Sequence, residues 1–209
     1  MDDLGPLTGA IEAGDRATAV RLTHDAVEAG LPPQTILDAM TAAMQAVGAR
    51  FQLNEIYVPE MLVAARAMKE AMIVLEPLLV GAGIRPEATA VLGTVKGDLH
   101  DIGKNLVGML WKGANIEVID LGTNVPAERF AQAVMDHHAR IVGISALLTT
   151  TMVGMREVVS AVRETSPDGV KIIVGGAPVT AAFAREIGAD AYAPDAGSAV
   201  EVAQAALRS

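Results

Sequence analysis

The chain has 209 residues, enough for one large domain or two small ones; 51% are hydrophobic and 3% aromatic, which excludes disorder and favours helices and β-branched parallel strands over an aromatic-rich sandwich. The net charge is −9, divided as −5 over residues 1–86 and −4 over 87–209, with no basic stripe in either half, so nucleic-acid binding is disfavoured. The longest apolar runs are strand-length and the amino terminus is acidic, so neither a transmembrane span nor a signal peptide is expected, and a cytoplasmic location is the default.

Up to about residue 84 the pattern is helical. Gly14-Asp15 separates a short helix from a second that runs to Gly30. Leu31-Pro32-Pro33 is a turn, with Pro33 suited to the first turn of a third helix, where Ile36, Met40, Met44, Val47 and Phe51 recur at helical spacing. After a turn at Asn54-Glu55, a long fourth helix carries Met61, Ala65, Met68, Met72, Leu75 and Leu79 on one face. This predicts a four-helix bundle over 1–84, with a methionine-rich stripe that reads as core. Gly81-Ala82-Gly83-Ile84-Arg85-Pro86 reads as a linker.

From residue 85 to 209 the period changes. Strands are expected at 88–95, 115–121, 140–146, 170–175 and, weakly, 190–193. Helices are expected at 101–113, 126–138, 150–165, 178–188 and 197–208. This alternation predicts an α/β domain with a five-stranded parallel sheet and helices on both faces.

The chemistry gathers at the carboxyl ends of those strands, where open α/β sheets bind ligands. Asp98-Leu99-His100-Asp101-Ile102-Gly103 follows the first strand, placing an imidazole beside a near-neighbour carboxylate. A carboxylate on one ring nitrogen fixes the tautomer and leaves the other free for a metal. Ser145 ends the third strand and is followed by Leu147 and Thr149; Gly175-Gly176-Ala177 ends the fourth; Ala196 follows the fifth. Glycines there admit a ligand close to the backbone, and hydroxyls offer neutral hydrogen bonds. Taken singly, Asp98 reads equally as a helix cap and His100 as a surface loop residue. Lys96 and Lys104 flank the motif and read as solvating the helix entrance, while His24, His137 and His138 read as surface or helix-end residues. The absence of cysteine excludes disulfides, thiolate zinc sites and protein-bound iron–sulfur clusters, so a metal here takes one protein ligand and draws the rest from elsewhere.

The run Gly97-Asp98-Leu99-His100-Asp101-Ile102-Gly103, then Ser145-Ala146-Leu147, then Gly175-Gly176, resembles the D-x-H-x-x-G, S-x-L and G-G signature of cobalamin-binding domains. Phe51 to Leu62 resembles the helical cap that precedes this domain in methionine synthase and in methyltransferase corrinoid proteins. The resemblance spans essentially the whole chain and is nearest to corrinoid shuttle proteins. It implies a flavodoxin-like, Rossmann-like second domain holding cobalamin or a related corrinoid base-off and His-on. His100 is implied as the lower cobalt ligand, with Asp98 and Ser145 completing a triad. Gly175 and Gly176 are implied to line a slot for the nucleotide tail, with Thr149 beside it and Ala196 after the last strand. Function is implied as carriage of a methyl group between a substrate-specific methyltransferase and an acceptor methyltransferase using tetrahydrofolate or coenzyme M, with a reductive activator as third partner. Other readings are a cobalamin-dependent sensor, an adenosylcobalamin mutase subunit, and a flavodoxin-like module without corrin.

Overall fold

A computed structural model describes residues 3–166 and 169–208. Two compact units emerge. One runs to Pro86 and takes in Gly113–Asn115; the other comprises Glu87–Lys112 and the chain from Ile116 onward.

The first unit is four helices, α1 (Gly5–Glu12), α2 (Arg16–Glu28), α3 (Pro33–Gln52) and α4 (Val58–Gly81). Local chemistry sets their starts. The Asp15 carboxylate accepts from the Thr18 N–H at 3.1 Å, capping α2, and the Tyr57 N–H donates to the Glu60 carboxylate at 3.1 Å at the head of α4. Pro33 opens α3, where its missing N–H costs nothing. Met40, Met44, Met61 and Met68 are buried, so the methionine stripe is core. A Cβ on Gly14 would stand 2.6 Å from Val63 Cγ2, and its φ of +70° is left-handed, so the α1–α2 turn needs glycine on both counts.

The second unit is β1 (Ala88–Thr94), α5 (Ile102–Gly113), β2 (Ile116–Asp120), α6 (Ala127–His137), β3 (Ile141–Ser145), α7 (Val153–Thr165), β4 (Lys171–Gly175), α8 (Ala181–Glu186), β5 (Ala191–Ala193) and α9 (Ala196–Arg208). All pairings are parallel, in the order β2-β1-β3-β4-β5, which is the flavodoxin-like order. The elements fall within a few residues of the sequence expectation. Side-chain alternation divides the strands between two cores. Val91, Val142, Ile144, Ile172 and Val174 pack under α6, α7 and α8. On the opposite face the Leu92 side chain and the Trp111 ring of α5 close over Gly143. The Trp111 indole N–H donates to the Ala199 carbonyl at 2.9 Å, tying α5 to α9. Among the described residues no helix is long and apolar enough to cross a membrane.

Candidate functional site

The register brings Thr94, Ser145, Gly175 and Ala193 into one row at the carboxyl ends of β1, β3, β4 and β5. Above this row the chain leaves β1 into the 96–101 loop that carries His100.

Every polar handle of His100 on the chain side is held. Its N–H donates to Asp98 Oδ1 at 3.0 Å, its Nδ1 lies 3.0 Å from the same oxygen, and its carbonyl accepts from the Thr94 hydroxyl at 2.9 Å. An ionised carboxylate only accepts, so Nδ1 carries the proton and the lone pair stays on Nε2. The imidazole is 54% exposed while Asp98 is fully buried. The base is therefore rigid at its root and open at its tip.

Asp98 is the hub. Its Oδ2 accepts from the N–H groups of Leu147 (2.8 Å) and Leu148 (3.3 Å) and from the Thr151 hydroxyl (2.8 Å). Burial pushes this carboxyl up, but the N–H groups of Leu147 and His100, the Thr151 hydroxyl and the His100 ring outweigh it. The net effect holds Asp98 well below the usual carboxylate range.

The hydroxyl that reaches Asp98 is thus that of Thr151, not of Ser145, the residue the resemblance assigned to it. Ser145 ends β3 on the same face as Gly143 and borders a cavity instead. Thr151 lies one turn into the segment after β3, close enough for its hydroxyl to meet a carboxylate 53 residues earlier. The signal available in the sequence was the hydroxyl run Thr149-Thr150-Thr151.

The cavity measures about 490 Å³ and runs between α5 and α9 from the His100 loop to Trp111. Of the residues singled out from sequence, Leu99, His100, Asp101, Ile102, Gly103, Ser145, Leu147, Gly175, Gly176, Ala177 and Ala196 border it. Gly97, Asp98 and Thr149 do not: Asp98 is beneath the loop, and Gly97 and Thr149 are exposed outside.

The glycines play different parts from the one expected of them all. A Cβ on Gly176 would stand 1.9 Å from the Ala146 carbonyl oxygen, and one on Gly175 2.9 Å from that of Ala193. These two are required by the chain's own backbone. Gly103 is the reverse: nothing lies within 4 Å of its Cβ position, and it sits in the first turn of α5, where glycine is less favourable than alanine. The protein itself gives no packing reason for glycine there, at the cavity's border.

Lys104 also departs from expectation. It does not solvate the helix entrance but is buried, with Nζ donating to both Asp120 oxygens (2.7 and 2.6 Å) and to Asn105 Oδ1 (2.7 Å). Asn105 Nδ2 passes the chain on to Asp101 at 3.0 Å. Asn124, left-handed at φ 54°, accepts the Gly97 N–H at 2.8 Å and donates its own N–H to the Asp98 carbonyl at 2.9 Å. The Lys104–Asp120 pair and the two Asn124 bonds brace the His100 loop and the head of α5 against the end of β2 and the β2–α6 connection, and none was singled out as bracing from the sequence. His24, His137 and His138 are exposed, as anticipated.

Comparison with known proteins decides the family. A B12 binding domain matches residues 88–203 and a second B12 binding domain matches residues 5–76. The chain belongs to the B12-binding corrinoid proteins. It is 38% identical to a corrinoid protein of Desulfitobacterium hafniense over 99% of this chain and 98% of that one. It is 40% identical to dimethylamine corrinoid protein 2 of Methanosarcina mazei over 84% of this chain and 83% of that one. Among solved structures, a cobalamin-binding protein from Desulfitobacterium hafniense superposes with TM-score 0.83 at 30% identity, covering 98% of each chain. A chain of the methanol:cobalamin methyltransferase complex of Methanosarcina barkeri superposes with TM-score 0.85 at 30% identity, covering 97% of this chain and 78% of that one. In this corrinoid-binding chain, no group of three or more His, Asp or Glu among the described residues is placed to hold a metal ion.

Proposed function

We propose that the chain carries a methyl group on a base-off corrinoid whose cobalt sits on His100 Nε2. The observation that carries this reading is the half-exposed imidazole, fixed at Nδ1 by Asp98 and standing at the mouth of the cavity between α5 and α9. The residues fit the group. Leu99 and Ile102, each 73% exposed, and Leu147, 40% exposed, make an apolar rim around the ring, suited to a flat macrocycle. Gly103 leaves open space on that rim. Ser145, Gly175, Gly176, Ala177 and Ala196 border the slot a nucleotide tail would enter.

When bound, the corrinoid supplies a cobalt centre that takes a methyl group from one protein and yields it to another. His100 would hold that centre through Nε2, and Asp98, with Thr151 behind it, keeps the Nδ1 proton in place. The partners are a substrate-specific methyltransferase, an acceptor methyltransferase working on tetrahydrofolate or coenzyme M, and a reductive activator. The dimethylamine corrinoid relative and the methanol methyltransferase complex support the first of these three.

Two substitutions test the site by opposite signatures. His100→Ala is expected to keep the fold, because the ring is half exposed, yet to weaken hydroxocobalamin binding at least about tenfold and to change the visible spectrum of what binds. Gly103→Ala is expected to raise the melting stability of the ligand-free protein by up to about 1 kcal/mol while weakening corrinoid binding. Spectral titration and thermal melts read both. Unaltered affinity and spectrum in His100→Ala would overturn the assignment. The carrier role itself is read by methyl-transfer assays with methylamine and methanol methyltransferases.

A further inference from the structure

Lys104 is a charge in a place that stability does not explain. Its side chain is 1% exposed, and it stands in the first turn of α5, the end of a helix that disfavours cations. Burying an ammonium is costly, and well-packed apolar side chains in place of a buried ion pair are often neutral or stabilising. α5 already buries Leu106, Leu110 and Trp111. The pair is also uneven: Asp120 is 41% exposed and reaches water, whereas Lys104 does not.

What the pair does is close a circuit around the His100 backbone. The His100 carbonyl accepts from the Thr94 hydroxyl at 2.9 Å, and the Thr94 N–H donates to the Gly122 carbonyl at 3.0 Å. The Gly122 N–H donates to Asp120 Oδ1 at 2.9 Å, and the Asp120 oxygens accept from Lys104 Nζ at 2.7 and 2.6 Å. From Lys104 the chain itself leads back to His100. Asn105 stiffens that return: it accepts from Lys104, and its side chain and N–H donate to the Asp101 carboxylate and carbonyl. Upstream of His100, Asn124 pins Gly97 and Asp98; downstream, Lys104 ties the head of α5 to the end of β2.

Resting on the corrinoid reading above, we infer that Lys104 is a positioning residue for His100. Through Asp120 it holds the backbone beneath the imidazole at one height over the sheet edge, so Nε2 meets cobalt without further ordering of the loop. Asp98 sets the tautomer of the imidazole, and Lys104 sets its place. A loop left free must be ordered at each ligation, and freezing one residue's backbone is worth about tenfold in an equilibrium.

Lys104→Met keeps most of the apolar stem, removes the buried charge and leaves behind only a carboxylate that water reaches. Lys96→Met removes the same charge from an exposed site equally far along the chain on the other side of His100, and serves as the control. Two measurements on the full chain read the effect. In the ligand-free protein, amide hydrogen exchange at His100 and Asn105 is expected to quicken at least about tenfold in Lys104→Met, with β3 unchanged and the control like the parent. With cob(II)alamin bound, nitrogen splitting from isotope-labelled histidine in the paramagnetic resonance spectrum reports the fraction with imidazole on the metal. The ratio of split to unsplit signal is expected to fall about tenfold in Lys104→Met and to hold in the control. Asp120→Ala strands the buried ammonium, so it is expected to be less stable in urea than Lys104→Met, yet to lose splitting by the same factor. Splitting that instead tracks stability across the two variants, or His100 exchange at the parent's rate in Lys104→Met, overturns the positioning role. An equal loss of splitting in Lys96→Met overturns it too, since charge alone would then be the cause. A parent without histidine splitting overturns the cobalt ligation of the corrinoid reading, while exchange in the ligand-free chain still judges the hold of Lys104 on the loop.

Discussion

Gly176→Ala is expected to be the most damaging single-methyl addition in the second unit. Gly176 has a φ of +128°, which side-chain-bearing residues rarely adopt, and the new Cβ would stand 1.9 Å from the Ala146 carbonyl oxygen. That obstacle is backbone at the end of β3, so no rotamer change relieves it. The ends of β3 and β4 must part, breaking the 3.3 Å bond from the Ala146 N–H to the Gly175 carbonyl and disturbing the edge on which the Asp98 donors Leu147 and Leu148 hang. The cost is expected above about 4 kcal/mol, at the far end of single-substitution effects. Gly175→Ala meets the Ala193 carbonyl at 2.9 Å and is expected to cost less, about 1–3 kcal/mol. Urea melts of the two variants beside the parent measure the order. Equal, small losses would show that the strand ends are softer than the packing implies.

Asp98→Asn is the second large effect, and pH separates its causes. The buried carboxylate receives only donors: three N–H groups, the Thr151 hydroxyl and the His100 ring. An amide turns one acceptor oxygen into a donor and faces N–H against N–H or against hydroxyl. A loss of about 3–5 kcal/mol at neutral pH is expected, as when one partner of a buried charged network is removed. The carboxyl lies below its ordinary value of 3.8 in the folded chain. The unfolded chain therefore takes up the proton first as pH falls. The stabilisation is fully present above the ordinary value and is lost as pH falls below it toward the folded one. The gap between parent and Asp98→Asn is accordingly expected to be flat from about pH 7 to 5 and to narrow below about pH 4. A gap that stays constant into acid would mean the charge on Asp98 is not what holds the loop.

Much of this molecule was legible because the two periodicities are clean. The alternating apolar runs at 88–95 and 140–146 became β1 and β3, and the stripe from Met61 to Leu79 became the buried face of α4. The pairing of His100 with Asp98 was legible from one short motif, because its geometry is local: the two are two residues apart. What escaped is what depends on chain segments meeting. Thr151 reaches Asp98 across 53 residues, and no spacing rule distinguishes it from Thr149 or from Ser145. Lys104 looked solvated because charged residues at helix starts usually are; its partner Asp120 lies 16 residues on, at the end of a neighbouring strand. The glycines misled in a third way. Sequence shows that a position lacks a side chain but not what stands where one would be. At Gly176 that is a carbonyl of the same chain, and at Gly103 it is empty space.

The hydrogen bond from Trp111 to the Ala199 carbonyl has a consequence for how a guest enters and leaves. It spans the floor of the groove like a rivet, fixing the gap between its two helical walls before anything arrives. Widening the groove would strip a fully buried indole of its acceptor, so the walls resist spreading. Little ordering of those walls is then left for the moment a ligand docks between them.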